Sequence, residues 1–126
     1  MKLRVKGNSL RLRVAPSEMA RLLDTGRIEE TVRFASQPDA RLTYALEHAP
    51  AGLEISVRYR PQEVTVVLST ENARKWAQSE QVSVSGTVDI GQETLDLLVE
   101  KDFACLDRSD EDNKDRFSNP KSNVSC

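Results

Sequence analysis

Apolar and polar residues alternate from the start of the chain: Leu3 and Val5 point one way and Lys2, Arg4 and Lys6 the other, which is the two-residue period of a strand with one buried face. After Gly7-Asn8, a two-residue hairpin signal, the alternation resumes with Leu10, Leu12 and Val14 against Arg11 and Arg13. The period then changes. Ala15-Pro16-Ser17-Glu18 supplies a helix start, and Met19, Leu22 and Leu23 share one helical face before Gly26 ends it. Ile28, Val32 and Phe34 predict a third strand, with Glu30 marking a bulge in it. Leu42, Tyr44 and Leu46 predict a fourth, ending near His48.

Beyond the connector Ala49-Pro50-Ala51-Gly52 the same order repeats. Leu53, Ile55, Val57 and Tyr59 alternate, Pro61-Gln62 turns, and Val64, Val66 and Leu68 alternate again. Ser69 or Thr70 caps a second helix with Ala73, Trp76 and Ala77 on one face. Val82 and Val84 begin a seventh strand, weakened or bent at Gly86, and Leu95, Leu97 and Val99 form an eighth after Gly91. A shift of 54 residues lays Leu10, Leu12, Val14, Leu22 and Ile28 on Val64, Val66, Leu68, Trp76 and Val82. A shift of 53 lays Leu42, Tyr44, Leu46 and Glu47 on Leu95, Leu97, Val99 and Glu100, the one-residue change falling in a loop.

The pattern therefore predicts an α+β fold built from a duplicated ββαββ unit: about eight mostly antiparallel strands and two short helices. Copy one spans 1–48 and copy two 53–101. Packed about a pseudo-two-fold axis, the copies would make one curved sheet, a sandwich or a wide barrel. The expected organisation is a single domain over 1–106 followed by an acidic, irregular C-terminal tail over 107–126. The length of 126 residues suits one domain with a real core, and aromatics at 5% leave that core to Leu, Val, Ile and Ala.

Charge changes the picture in two ways. Residues 1–99 carry 13 basic and 13 acidic side chains, whereas 100–126 carry 5 and 7, so the net charge of −2 lies in the tail. A neutral body with an acidic end argues against nucleic-acid binding, which needs a net basic footprint. No apolar run reaches the length of a membrane span and the N-terminus lacks a secretion signal, so the expected compartment is the cytoplasm, where Cys105 and Cys126 stay thiols. The copies also differ in surface charge. The faces pointing away from the apolar side carry Arg4, Lys6, Arg11 and Arg13 in the first hairpin but Ser56, Arg58, Arg60, Thr65 and Val67 in the second.

Four basic side chains on adjacent strands can hold one anionic ligand; the plainer reading is a solvated face that discourages edge aggregation. In the tail, Asp107, Asp110 and Asp112 with Glu111 and Asp115 are an oxygen-rich cluster suited to a divalent ion, or simply a hydrated segment to which Phe117 and Asn119-Pro120 give a means of docking back. Cys105, with His48 and Cys126, is a weak candidate soft-metal set, and its plain reading is a buried thiol. No cofactor is expected, a divalent metal ion being the exception these residues allow. No Gly-rich nucleotide loop, G-x-S-x-G or H-E-x-x-H pattern occurs.

The stretches Lys2-Leu3-Arg4-Val5-Lys6-Gly7-Asn8-Ser9-Leu10-Arg11-Leu12-Arg13 and Val99-Glu100-Lys101-Asp102-Phe103-Ala104-Cys105-Leu106-Asp107-Arg108 resemble those of a family of small bacterial proteins of unknown function, a resemblance that transfers no activity. The strand and helix order is in addition similar to the triphosphate tunnel fold, a duplicated eight-stranded barrel, although the helices fall one strand later and its E-x-E-x-K signature is replaced by Lys2-x-Arg4-x-Lys6. Two functions compete. The first is a non-enzymatic binding or interaction module for an anionic ligand, a metal ion or a partner protein, with a homodimer among the arrangements expected. The alternative, implied by the tunnel resemblance, is a metal-assisted phosphate-ester or phosphoanhydride hydrolase, with Arg4, Lys6, Arg11 and Arg13 holding phosphate and Asp107, Asp110 or Asp112 holding the metal. A closed basic channel distinguishes the second from the first.

Overall fold

The computed structural model describes residues 1–103 and 115–117. Strands β1 (Lys2–Lys6) and β2 (Ser9–Val14) pair as the first hairpin, with Gly7 at φ 54° supplying the left-handed conformation its turn needs. Helix α1 (Pro16–Thr25) starts on proline, whose missing N–H costs nothing at the first helical position. Glu18 Oε1 reaches back to accept from the Ala15 N–H at 2.9 Å. At the other end Gly26, at φ 86°, donates to the Leu22 carbonyl at 2.8 Å and closes the helix. Strands β3 (Arg27–Arg33) and β4 (Arg41–Ala49) complete copy one.

Copy two repeats the order with β5 (Ile55–Arg60), β6 (Glu63–Ser69), α2 (Thr70–Ala77), β7 (Ser83–Asp89) and β8 (Thr94–Lys101). Ser69 is the cap of α2, its Oγ accepting from the Asn72 N–H at 3.2 Å. Eight strands and two short helices are thus present, as the alternation predicts.

Neither copy forms a sheet of its own. One sheet runs β1-β2-β8-β7 and the other β3-β4-β6-β5, so each holds the first hairpin of one copy and the second hairpin of the other. Within hairpins the pairing is antiparallel; the two junctions, β2 with β8 and β4 with β6, are parallel. These junctions reproduce the duplication residue by residue. Leu12 pairs with Val99 and Val14 with Lys101, and in the other sheet their counterparts pair alike, Val66 with Leu46 and Leu68 with His48.

The register also corrects the alignment. Ile28 faces Leu46 where Val84, not Val82, faces Val99, so the offset rises to 56 after the helix and returns to 53 through the shorter β7–β8 connection. Val82 stays outside β7 and Leu53 outside β5, both exposed. The bulge expected at Glu30 does not form: β3 pairs with β4 in unbroken register from Arg27 to Arg33. Its polar residues are accommodated because β3 is an edge strand, exposed from Glu29 onwards.

The two sheets face each other across one hydrophobic cluster that takes Leu12, Val14, Leu97 and Val99 from the first, Leu46, Val66 and Leu68 from the second, and Leu22 and Trp76 from the helices. The helices contact each other, α1 lying against β3 and β4 and α2 against β4, β6 and β7. Trp76, fully buried, donates its indole N–H to the Val82 carbonyl at 3.0 Å. Where β7 meets β5, a Cβ on Gly86 would lie 2.5 Å from Ile55 Cγ2. Gly86 is there because the sheets approach so closely, not because the strand bends. Of the arrangements open to the sequence, the open pair of sheets forms and the wide barrel does not. Among the described residues, no helix is long and apolar enough to cross a membrane.

Candidate functional site

The pleat puts Lys2, Arg4 and Lys6 of β1 and Arg11 and Arg13 of β2 on the outer face of their sheet, opposite the buried Leu12 and Val14. Register then sets like charge against like: Lys2 is directly opposite Arg13, and Arg4 opposite Arg11. Glu100 of β8 relieves part of this, accepting from Arg13 Nε at 2.7 Å with Arg11 Nε at 3.6 Å, and Lys2 Nζ lies 3.1 Å from Asp102 Oδ2. Arg4 and Lys6 make no ion pair among the described residues. A depression of about 200 Å³ lies between Lys2, Arg4, Arg11 and Arg13.

The equivalent face of the other sheet is built differently. Arg27 donates to Glu47 Oε1 at 2.5 Å, Glu63 Oε1 at 3.2 Å and Glu29 Oε1 at 3.3 Å, and Arg58, the counterpart of Arg4, donates to Glu47 Oε1 at 2.8 Å. Arg58 holds the Glu47 carboxyl below the usual glutamate range, with Arg27 adding to the effect. Thr65 and Ala45 are completely buried on this outward side of the sheet. Glu47 and Glu100 are duplicates, but Glu47 serves two guanidiniums that have no like-charged neighbour opposite them, whereas Glu100 serves two of a cluster of five cations.

The basic face continues around the edge of its sheet into a cleft of about 600 Å³ lined by Lys2, Arg13, Ser17, Arg21, Asp102 and Asp115. Asp115 belongs to the C-terminal segment. Its Oδ1 accepts from the Ser17 backbone N–H at 3.2 Å and its Oδ2 from Ser17 Oγ at 2.6 Å. These two bonds, supported by the charge of Arg21, hold the Asp115 carboxyl below its ordinary value. Two residues on, Phe117 donates its N–H to the Asp102 carbonyl at 2.8 Å and bridges to Phe103, the rings edge to face with centroids 5.9 Å apart. Lys101 Nζ sits 5.4 Å from the Phe117 centroid and donates to the Ser79 carbonyl at 2.7 Å; burial pushes its pKa down.

The four anion-site candidates Arg4, Lys6, Arg11 and Arg13 are therefore together on one face, but they line no channel. The interior is filled with apolar side chains, which corrects the tunnel-like architecture the hydrolase reading required. His48 is not with them: it ends β4 on the core side, its Nδ1 2.9 Å from Thr70 Oγ1 and its Nε2 buried without a partner among the described residues. Cys105, Asp107, Asp110 and Asp112 lie outside the described residues. Among the described residues, no group of three His, Cys, Asp or Glu side chains is placed to hold a metal ion.

Neither Ser17 nor Arg21 stands out in the apolar and polar pattern, which gives Phe117 only a general means of docking. A signal was present in the duplication. Ala15 stands where copy two has the capping Ser69, leaving α1 without a side-chain cap of its own.

Fold and faces together define a duplicated two-sheet α+β protein whose halves have kept one scaffold and diverged on their outer surfaces. The chain belongs to a family of unknown function (DUF7009), whose profile matches residues 1–121. No curated protein and no solved structure matches it.

Proposed function

We propose that this protein is a non-enzymatic binding module whose β1–β2 outer face takes a short acidic segment of a partner protein. The carrying observation is the register that sets Arg4 on Arg11 and Lys2 on Arg13. Like charges directly opposite destabilise a sheet, so two such rows on one hairpin make sense when an anion completes them. Edge protection calls for charge but not for one sign on facing positions. β3, the edge of the other sheet, carries both signs in Arg27, Glu29 and Arg33 and has one like-charge pairing, Arg33 on Arg41 at its end, where the first hairpin has two in succession. Copy two has the same pairings, yet fills them with Ser56 on Val67 and Arg58 on Thr65. Two guanidiniums side by side on neighbouring strands suit a carboxylate bidentately. A net charge of −2 favours a short anion over a long polyanion such as nucleic acid.

The test is fluorescence anisotropy of a labelled hexaglutamate peptide with the full-length protein at several salt concentrations. The expected result is binding that weakens with salt, drops by about tenfold or more in the Arg4→Ala/Arg11→Ala variant, and is unchanged in Arg58→Ala. Absence of binding, or equal loss in Arg58→Ala, would overturn the reading.

A further inference from the structure

The C-terminal segment occupies its cleft in the manner of a bound peptide. Three separate contacts hold it: the Asp115 carboxylate on Ser17, the Phe117 N–H on the Asp102 carbonyl, and the Phe117 ring against Phe103 and Lys101. The first and last are two residues apart, so one short stretch of chain carries both. The segment is an addition to the duplicated scaffold, since β8 ends at Lys101 and nothing after Asp102 has a counterpart in copy one, although Phe117 packs against the shared core.

The two helix starts support the same conclusion. Ala15 and Ser69 are equivalent, with almost the same extended backbone, φ −78°, ψ 160° and φ −66°, ψ 146°. Copy two caps its helix from within through Ser69 Oγ. Copy one has no side-chain oxygen there and presents its second helical N–H, that of Ser17, to a carboxylate from elsewhere in the chain. Asp115 itself is exposed and has a left-handed backbone at φ 58°, so its contact is one that a competitor can reach. The cleft is also continuous with the basic face, since Lys2 and Arg13 line both.

From these observations we infer that the cleft at the start of α1 is a docking site for a carboxylate-x-aromatic peptide segment, and that Asp115–Phe117 fills it in cis until a partner displaces them. The inference rests on the acidic-partner reading above and adds the second half of the footprint. The internal ligand belongs to the same chain, so it competes as an intramolecular partner with an effective concentration of its own. A partner that engages the basic face at the same time gains the same advantage and can compete. Occupancy by the internal segment lowers the apparent affinity for any outside ligand in proportion to the fraction of sites left open.

The experiment uses the full-length protein and a fluorescein-labelled peptide with the sequence of residues 112–119, read by anisotropy. Wild type should bind it weakly, and the Asp115→Asn/Phe117→Ala variant about tenfold more tightly because the internal competitor is gone. Asp115→Asn alone, which leaves Phe117 in place to support folding, should tighten binding by about threefold. Arg21→Ala in the released background should take back part of the gain. Equal affinity in wild type and both released variants would overturn the inference. Hexaglutamate binding measured on the same proteins separates the two readings. If it persists and still depends on Arg4 and Arg11 while the released variants gain nothing, only the internal-ligand inference fails; if hexaglutamate never binds, the reading beneath it fails as well.

Discussion

Gly86 is the residue on which the approach of the two sheets depends. A methyl group there would meet Ile55 Cγ2 at 2.5 Å, and a β-branched side chain cannot swing that methyl aside without leaving its preferred rotamer. Gly86→Ala should therefore cost about 1–3 kcal/mol of unfolding free energy by overpacking. Ile55→Ala in the same chain should recover part of that loss, so a double-mutant cycle in urea should return a favourable coupling of about 1 kcal/mol or more. Additive effects would mean that the sheets part freely. Glu47 gives a second test at this scale. Its folded-state pKa is held below the ordinary 4.5 by Arg58 and Arg27, so it stabilises fully above pH 4.5 and loses that contribution as pH falls through the depressed value. Glu47→Gln should cost about 1–3 kcal/mol at neutral pH, because the amide keeps an acceptor oxygen but loses the negative charge that two guanidiniums share. The gap from wild type should narrow in thermal melts below about pH 4.

Between elements, the two helix starts form a natural controlled comparison. Ser69→Ala should destabilise by about 1 kcal/mol, and Ala15→Ser should stabilise by a similar amount, because the Ala15 backbone already has the conformation of a capping residue. Denaturant midpoints of the two variants should move in opposite directions. Individual elements were legible in the sequence wherever one signal acted alone: Gly7-Asn8 and Gly26 punctuate the chain, and the periods of two and of 3.6 identify hairpins and helices. Errors arose where location in the sheet outweighs pattern. Glu30 reads as an interruption only if β3 is buried along its length, and an edge strand need not be. Val82 and Leu53 continue an apolar alternation beyond the ladder into exposed positions, which alternation alone cannot detect. Gly86 carries no sequence mark of its reason, since the atom it avoids is 31 positions earlier.

The exchange of hairpins between copies belongs to the whole molecule, and it was not visible in the sequence because alternation is identical whichever strand lies alongside. The duplication was visible, and with it the divergence of the outer faces. The register that turns four cations into two opposed rows was also implicit, since the two-residue Gly7-Asn8 turn sets Lys6 on Ser9 and hence Arg4 on Arg11 and Lys2 on Arg13, but alternation alone does not express it. That register separates stability from binding. Arg4→Glu would put an acid directly across from Arg11, replacing repulsion by attraction at an exposed pair, for a gain of about 0.2–1 kcal/mol. The same change would place a negative charge in the depression between Lys2, Arg4, Arg11 and Arg13 and should weaken hexaglutamate binding more than Arg4→Ala does. A protein that melts higher while binding less shows that the like-charge rows are kept for a partner at a cost to the fold. If instead stability rises with hexaglutamate binding unaltered, the face serves solubility alone and the acidic partner must be sought elsewhere on the molecule.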